Sequence, residues 1–246
     1  GVLPLRALLD CRLRGIHVTD LPRFFERVHG QIPIQALKAS WLIYGNGFRQ
    51  DLLRTVIKRT FDIMASLVLL FTTLPLILLV ATLLGMESRA PIIYRQERVG
   101  RAGQTFTLLK FRSMGHDAEK DGGPSWASIN DARITRVGRF IRRSRIDELP
   151  QLINVLRGEM SFVGPRPERP EFVDLLEQTV PFWTRRLLVK PGITGWAQLR
   201  CGYACDADSA AEKLSYDLWY LRNRNVVVDL AICIETALSL LCRSGR

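Results

Sequence analysis

Asp147 and Glu148 are adjacent carboxylates with three arginines, Arg142, Arg143 and Arg145, just upstream. Vicinal carboxylates held among guanidiniums suit an anionic phosphate substrate. One can hold a metal ion while the other attacks or takes a proton. The same pair at an exposed helix N-terminus would merely suit the helix dipole, so the pair alone does not decide. Leu149, Leu152, Ile153 and Leu156 follow at helical spacing and predict a helix with one buried face. Gly164-Pro165-Arg166-Pro167 then breaks that helix and sets Arg166 on a rigid turn.

Other elements must bring charge to this pair. Residues 92–96 and 105–111 read as strands joined by Gly100-Arg101-Ala102-Gly103, a β-hairpin that delivers Lys110 and Arg112 to one place. Strand alternation puts both cations on one face, away from Phe111. Residues 116–130 are polar and Gly-rich, a loop and candidate lid. Arg133, Arg136, Arg139 and Arg142 recur every third residue among Ile134, Val137, Phe140 and Ile141. That spacing predicts one helix, capped by Asp131, with a basic and an apolar stripe. Its last turn meets the substrate, and its earlier arginines face lipid headgroups. Further on, residues 172–188 read as a helical pair and residues 191–198 as a tight turn. Residues 206–222 form a polar helix with Leu214, Leu218 and Tyr220 inward. The apolar stretch 226–241 contains Asp229 and Glu235, too interrupted to span, so it packs on the core or lies at the membrane.

The 246-residue chain carries a net charge of +11, which implies an anionic partner: nucleic acid, acidic lipid or a phosphorylated substrate. Five cysteines at irregular spacing suggest free thiols rather than a disulfide framework or a zinc site. No signal peptide is visible, and the chain opens on Gly1, as a portion of a longer protein would. Residues 1–45 read as the end of a soluble α/β N-terminal regulatory domain, with a helix, a short strand around Ile16 and Val18, and a second helix capped by Asp20. Residues 46–60 read as a basic amphipathic linker helix at a membrane surface. Residues 63–86 hold no charge over 24 positions, long enough to enter a bilayer. Pro75 sits in the middle, and basic residues stand on both flanks: Arg54, Lys58 and Arg59 before, Arg89, Arg95, Arg98 and Arg101 after. A helix over 61–86 that enters, bends at Pro75 and returns keeps both flanks cytoplasmic. The fold expected is mainly α with a small β-hairpin, α+β, with residues 87–246 as the catalytic domain.

Four blocks occur in order: Lys110-Phe111-Arg112-Ser113-Met114, Asp147-Glu148-Leu149-Pro150-Gln151-Leu152, Gly158-Glu159-Met160-Ser161-Phe162-Val163-Gly164-Pro165-Arg166-Pro167 and Pro191-Gly192-Ile193-Thr194-Gly195-Trp196-Ala197-Gln198. Over about residues 55–240 the chain thereby resembles the bacterial sugar transferase family, the polyprenyl-phosphate hexose-1-phosphate transferases that start exopolysaccharide and O-antigen assembly. The resemblance implies a monotopic protein of the bacterial inner membrane, its catalytic part facing the cytoplasm. It implies transfer of hexose-1-phosphate from a UDP-hexose to undecaprenyl (polyprenyl) phosphate with release of UMP. It assigns attack, through a covalent phosphosugar intermediate, to Asp147 and metal binding to Glu148. Mg2+ is the implied cofactor, since the donor's pyrophosphate repels a carboxylate nucleophile. Lys110, Arg112, Arg142, Pro165, Arg166 and Pro167 are the implied phosphate- and nucleotide-binding residues. Many members carry Asn-Gly-Arg after the Trp-Ala-Gln block; it is absent here, and Arg200 is the candidate substitute. Members often have Ser before the membrane proline, where this chain has Leu74, with Thr73 free to bond back to the backbone. The alternative is a basic membrane-tethered regulator or nucleic-acid-binding protein using the arginine stripe. No nucleic-acid-binding motif occurs, and no nucleic-acid partner is expected. The identity of the hexose and the oligomeric state, a homo-oligomer included, stay open.

Overall fold

The computed structural model describes residues 4–34, 51–88, 90–115, 131, 133–201 and 207–242. The expected lid at 116–130 and most of the first half of the expected linker helix lie outside the described residues. Within them the architecture is mainly helical with one antiparallel hairpin, as the sequence predicted, and a second strand pair that it did not.

Two short helices, α1 (Leu5–Leu13) and α2 (Leu21–His29), open the chain. Asp20 caps α2 by accepting from the Arg23 amide at 3.0 Å, but no strand forms at Ile16–Val18, where both apolar side chains stay exposed. The segment after α2 joins the main body: Ile32 is fully buried against Val173, Trp183 and Leu214, and its amide donates to the Ser215 carbonyl. The Trp196 and Trp219 indoles, stacked on each other, donate to the Gly30 and Glu26 carbonyls.

The linker and membrane segments expected at 46–60 and 61–86 run on as one helix, α3 (Leu52–Glu87), unbroken through Pro75. At 1.5 Å per residue it is about 54 Å long along its path. It is long and apolar enough to cross a membrane, and only 11% of its most apolar window is buried in the protein. Pro75 removes a backbone donor and crowds the preceding turn. There the Thr73 hydroxyl donates to the Leu69 carbonyl at 2.6 Å and that of Thr72 to Val68 at 2.9 Å. Such back-bonding bends helices locally. Both ends of α3 rest on the same body. Arg59 donates to the Val155 and Leu156 carbonyls at 2.6 and 2.8 Å. Near the other end, Val80 and Leu84 pack on Phe111 and Ile141. Between Leu67 and Leu79 no side chain is buried.

The strands β1 (Ile93–Val99) and β2 (Thr105–Phe111) pair antiparallel, Tyr94 opposite Lys110. Next comes α4 (Arg136–Arg143). It starts three residues later than the arginine spacing predicted, because Thr135 rather than Asp131 caps it, accepting from the Gly138 amide at 2.9 Å. Asp131 is instead held by Arg133 at 2.6 Å. A single 3-10 turn (Ile146–Glu148) leads into α5 (Gln151–Arg157). Gly158, at φ 85, ends α5 six residues before the expected break at Gly164. The buried face of α5 is Gln151, Leu152, Asn154 and Val155, with Ile153 turned outward.

The short strands β3 (Ser161–Val163) and β4 (Gly192–Thr194) pair in parallel. Two sequence blocks thus meet where only glycine fits. A Cβ at Gly164 would lie 2.5 Å from the Lys190 carbonyl oxygen, and Gly192 and Gly195 are equally confined against Gly164. Between the strands lie α6 (Pro170–Thr179) and a 3-10 stretch (Trp183–Leu188); after them come α7 (Trp196–Arg200), α8 (Ala207–Asn223) and α9 (Val226–Leu241). Leu214 and Leu218 of α8 are fully buried in the core, and Tyr220 nearly so. Helix α9 packs through Ile232 and Asp229, leaving Val227, Leu230, Ile234, Leu238 and Leu241 exposed along one stripe.

Candidate active site

The carboxylate pair sits on the 3-10 turn between α4 and α5. Arg145, just before it, is left-handed at φ 53, a conformation that non-glycine residues hold only when their surroundings impose it. The turn presses Asp147 and Glu148 into the body, leaving 8% and 7% exposed. Three elements bring cations to Glu148. The turn after β3 supplies Arg166, at 2.8 Å; β2 supplies Lys110, at 3.5 Å; Arg145 stands at 3.9 Å. Arg166 also donates to the Gln198 side-chain carbonyl of α7 at 3.3 Å. The strand carrying Lys110 is fixed by Asn154, which accepts from the Leu109 amide at 3.1 Å and donates to the Thr107 carbonyl at 2.8 Å.

These contacts divide the pair. Burial works to raise the Glu148 carboxyl, but Arg166, Lys110 and Arg145 outweigh it and hold it at about 2. Burial, then repulsion from Glu148, pushes Asp147 up to about 6, against the pull of Lys110, Arg166 and Arg142. Arg142 favours the ionised form only after Lys110 and Arg166, and at about 6 Asp147 is still mostly ionised at neutral pH. Among the described residues no hydrogen bond or ion pair reaches Asp147. Burial also lowers the Lys110 ammonium, with Glu148 opposing.

Lys110, Arg166, Asp147 and Glu148 are thus brought together, with Arg142 half-buried on the last turn of α4. Pro165 and Pro167 are buried on either side of Arg166 and line a small cavity with Val99, Arg186 and Val189. Arg112 is engaged elsewhere: it lies past the end of β2, buried, and donates to the Leu84 and Pro91 carbonyls at 3.1 Å each. Arg200 pairs with Glu235 of α9 at 2.9 Å and lies 4.1 Å over the Trp196 ring, so its guanidinium braces α7 on α9. Arg133, expected to face lipid, is held by Asp131, whereas Arg136, Arg139 and Arg143 are exposed. Gln198 received no role from the sequence, and Arg145 was noted only as one of three arginines just upstream of the acidic pair, with no contact assigned to it.

Comparison with known proteins gives this arrangement a family. The model for "Bacterial sugar transferase" matches residues 53–243. Over 240 residues the chain is 39% identical to the UDP-N-acetylgalactosamine-undecaprenyl-phosphate N-acetylgalactosaminephosphotransferase of Aeromonas hydrophila, covering 98% of this chain and 56% of that protein. It is 42% identical over 184 residues to the undecaprenyl-phosphate glucose phosphotransferase of Komagataeibacter xylinus, covering 73% and 35%. It is 40% identical over 194 residues to the exopolysaccharide production protein PSS of Rhizobium leguminosarum bv. phaseoli, covering 76% and 96%. The chain spans about half the length of the Aeromonas relative and about a third of the Komagataeibacter one. The match runs from the start of α3 through α9 and includes every residue of the carboxylate site, so the chain belongs to the bacterial sugar transferase family.

Proposed function

We propose that the protein transfers a sugar-1-phosphate from a UDP-sugar to undecaprenyl phosphate in two steps. An Asp147 carboxylate oxygen attacks the phosphorus that bears the sugar. The bond from that phosphorus to the bridging oxygen breaks, and UMP leaves with the electron pair. An oxygen of the polyprenyl phosphate then attacks the same phosphorus. The acyl-phosphate bond breaks and the carboxylate is restored. The covalent stage lets one soluble and one lipid-embedded substrate use the site in turn. The observation that carries this reading is the division within the pair. Glu148 is clamped and ionised, while Asp147 is buried, without a described partner, and mostly ionised above pH 6. A base of that strength opens a pyrophosphate yet leaves readily from a phosphosugar.

Lys110 and Arg166 supply positive charge where phosphate charge shifts. The acidic pair fits magnesium, which takes one or two carboxylates and leaves its other positions to water and substrate phosphates. Glu148 would hold the ion, which would neutralise the pyrophosphate. Arg112 and Arg200 take no part in this scheme.

The same reading places α3 in the cytoplasmic leaflet of the inner membrane as a re-entrant helix. Arg59 and Asp62 near one end, and Val80 and Leu84 near the other, all dock on one body, and the exposed apolar stretch lies between them. A straight span would carry one end away from that body. Family membership favours the enzyme over the basic regulator or nucleic-acid-binding alternative. The test is transfer of labelled sugar phosphate into butanol-extractable lipid from a panel of UDP-glucose, UDP-galactose and UDP-N-acetylgalactosamine. Label in lipid from one donor, lost with Asp147→Asn, supports the reading. No transfer from any UDP-sugar, with retained binding to duplex DNA, would favour the alternative.

A further inference from the structure

We infer that Arg186 is a positioning residue for the transfer: its guanidinium holds the backbone of the Pro165-Arg166-Pro167 turn and thereby sets the Arg166 side chain on Glu148. This rests on the two-carboxylate reading above and adds to it a group that touches neither carboxylate.

Arg186 lies in the 3-10 stretch Trp183–Leu188 and is 3% exposed, unlike its exposed neighbour Arg185. One nitrogen, Nη2, donates to the Arg166 carbonyl at 3.0 Å. Nε and the same Nη2 meet the Asp217 carboxylate of α8 at 2.9 and 2.8 Å, and the guanidinium lies 4.4 Å over the Trp183 ring. The cation is anchored on the core and reaches out to the turn. Two further donors take the next carbonyls in sequence. Arg98 Nη1 donates to Pro167 at 3.1 Å, and the Val99 amide to Glu168 at 2.9 Å. The Glu168 carboxylate in turn meets Arg98 and Arg186 at 3.8 Å and Lys213 at 3.5 Å. Three successive carbonyls, 166 to 168, are therefore held from below. The side chain that emerges above is Arg166, bound to Glu148 at 2.8 Å.

The geometry needs arginine. A planar fork can serve an anion and a carbonyl at once, whereas an ammonium is a point charge on a shorter reach. Arg186→Lys keeps a cation beside Asp217 and loses the carbonyl of Arg166. Leu176→Ala is the comparison for general loosening, since Leu176 lies in the core cluster that contains Trp183 and has no polar side-chain atom to offer the turn's carbonyls or the carboxylates. Asp217→Asn, which frees the anchored edge of Arg186, is a second route to the same defect should Arg186→Lys fold poorly.

Two readouts decide. The first is turnover in a double-mutant cycle. Arg186→Lys should lower kcat about tenfold alone and less than about twofold in an Arg166→Ala background, because the group it positions is already gone. The second needs no activity: phenylglyoxal modification of Arg166, followed by peptide mass spectrometry in the complete membrane-bound protein. Arg186→Lys and Asp217→Asn should raise the rate at Arg166 several-fold and leave exposed Arg139 unchanged; Leu176→Ala should change neither. Unchanged reactivity at Arg166, or losses that multiply in the cycle, would overturn the inference. If the parent protein transferred no sugar phosphate, the proposed reaction would fall, and the Arg166 modification rate would still decide whether Arg186 holds that side chain.

Discussion

Replacing Asp147 by asparagine should abolish transfer and at the same time make the protein more stable. The carboxyl is pushed up from 3.8 to about 6, chiefly by burial. At 1.36 kcal/mol per pH unit, holding it ionised in the folded protein costs about 3 kcal/mol at neutral pH. Relaxation and water entry around a buried charge reduce this to about 2 kcal/mol. For a chain of this size that is a rise in Tm of about 4–8 °C. The sign follows from the direction of the shift. Below pH 3.8 the group is protonated in both states and costs nothing. The cost enters as pH rises between 3.8 and about 6 and is complete above that. Thermal unfolding of both proteins in matched detergent, from pH 4 to pH 7.5, should show a gap that is full at pH 7.5 and closes toward pH 4. An Asp147→Asn protein less stable than its parent at pH 7.5, or a gap independent of pH, would refute the view that the carboxylate is held there at the expense of stability.

Glu148→Gln removes the charge that, after burial, most raises Asp147. Residual activity should fall, and the acid limb of its pH–rate profile should move below 6; an upward shift would contradict the division within the pair. Lys58 is paired with Asp62 at 3.0 Å and Asp229 at 2.8 Å, so Lys58→Met strands two buried carboxylates. It should cost about 3 kcal/mol in thermal unfolding and open the first arm of α3 to trypsin. Arg200→Ala should change stability by less than about 1 kcal/mol and leave turnover nearly intact, since its pair with Glu235 is half exposed; a large loss of kcat would return Arg200 to the site. Single cysteines Thr55→Cys and Ala90→Cys, in a background without the native cysteines, should both react with membrane-impermeant maleimide from the cytoplasmic side alone; labelling of position 90 from the other side would mean that α3 spans.

The part of the site legible in the sequence is the part written as contiguous words. The acidic pair and the Gly-Pro-Arg-Pro turn stood out, and Lys110 followed from the hairpin's alternation. The helices were legible where apolar spacing ran for several turns, as in α3 and α8. What was missed depends on pairings distant in sequence. Arg112 looked equivalent to Lys110 until its guanidinium was seen on the Leu84 carbonyl, and nothing in local spacing reports an unpaired carbonyl 28 residues away. Strands of three residues, as in β3 and β4, are too short for alternation to register. Buried Arg186 and exposed Arg185 are adjacent and chemically alike. Lys58 read as part of a basic helix facing lipid, whereas Asp229, reached only after the chain folds, takes it inward. The cap of α4 was misplaced because Asp131 and Thr135 are both competent caps, and Arg133 claims the aspartate.

The most direct test of the covalent scheme withholds the lipid. Purified protein, magnesium and the accepted UDP-sugar, with no polyprenyl phosphate present, should release up to one equivalent of UMP. The sugar phosphate should be found by mass spectrometry on the peptide containing Asp147, and it should pass to polyprenyl phosphate added afterwards. UMP that appears only once the acceptor is added, with no modified peptide, would mean direct transfer and would reduce Asp147 to the base that activates the acceptor.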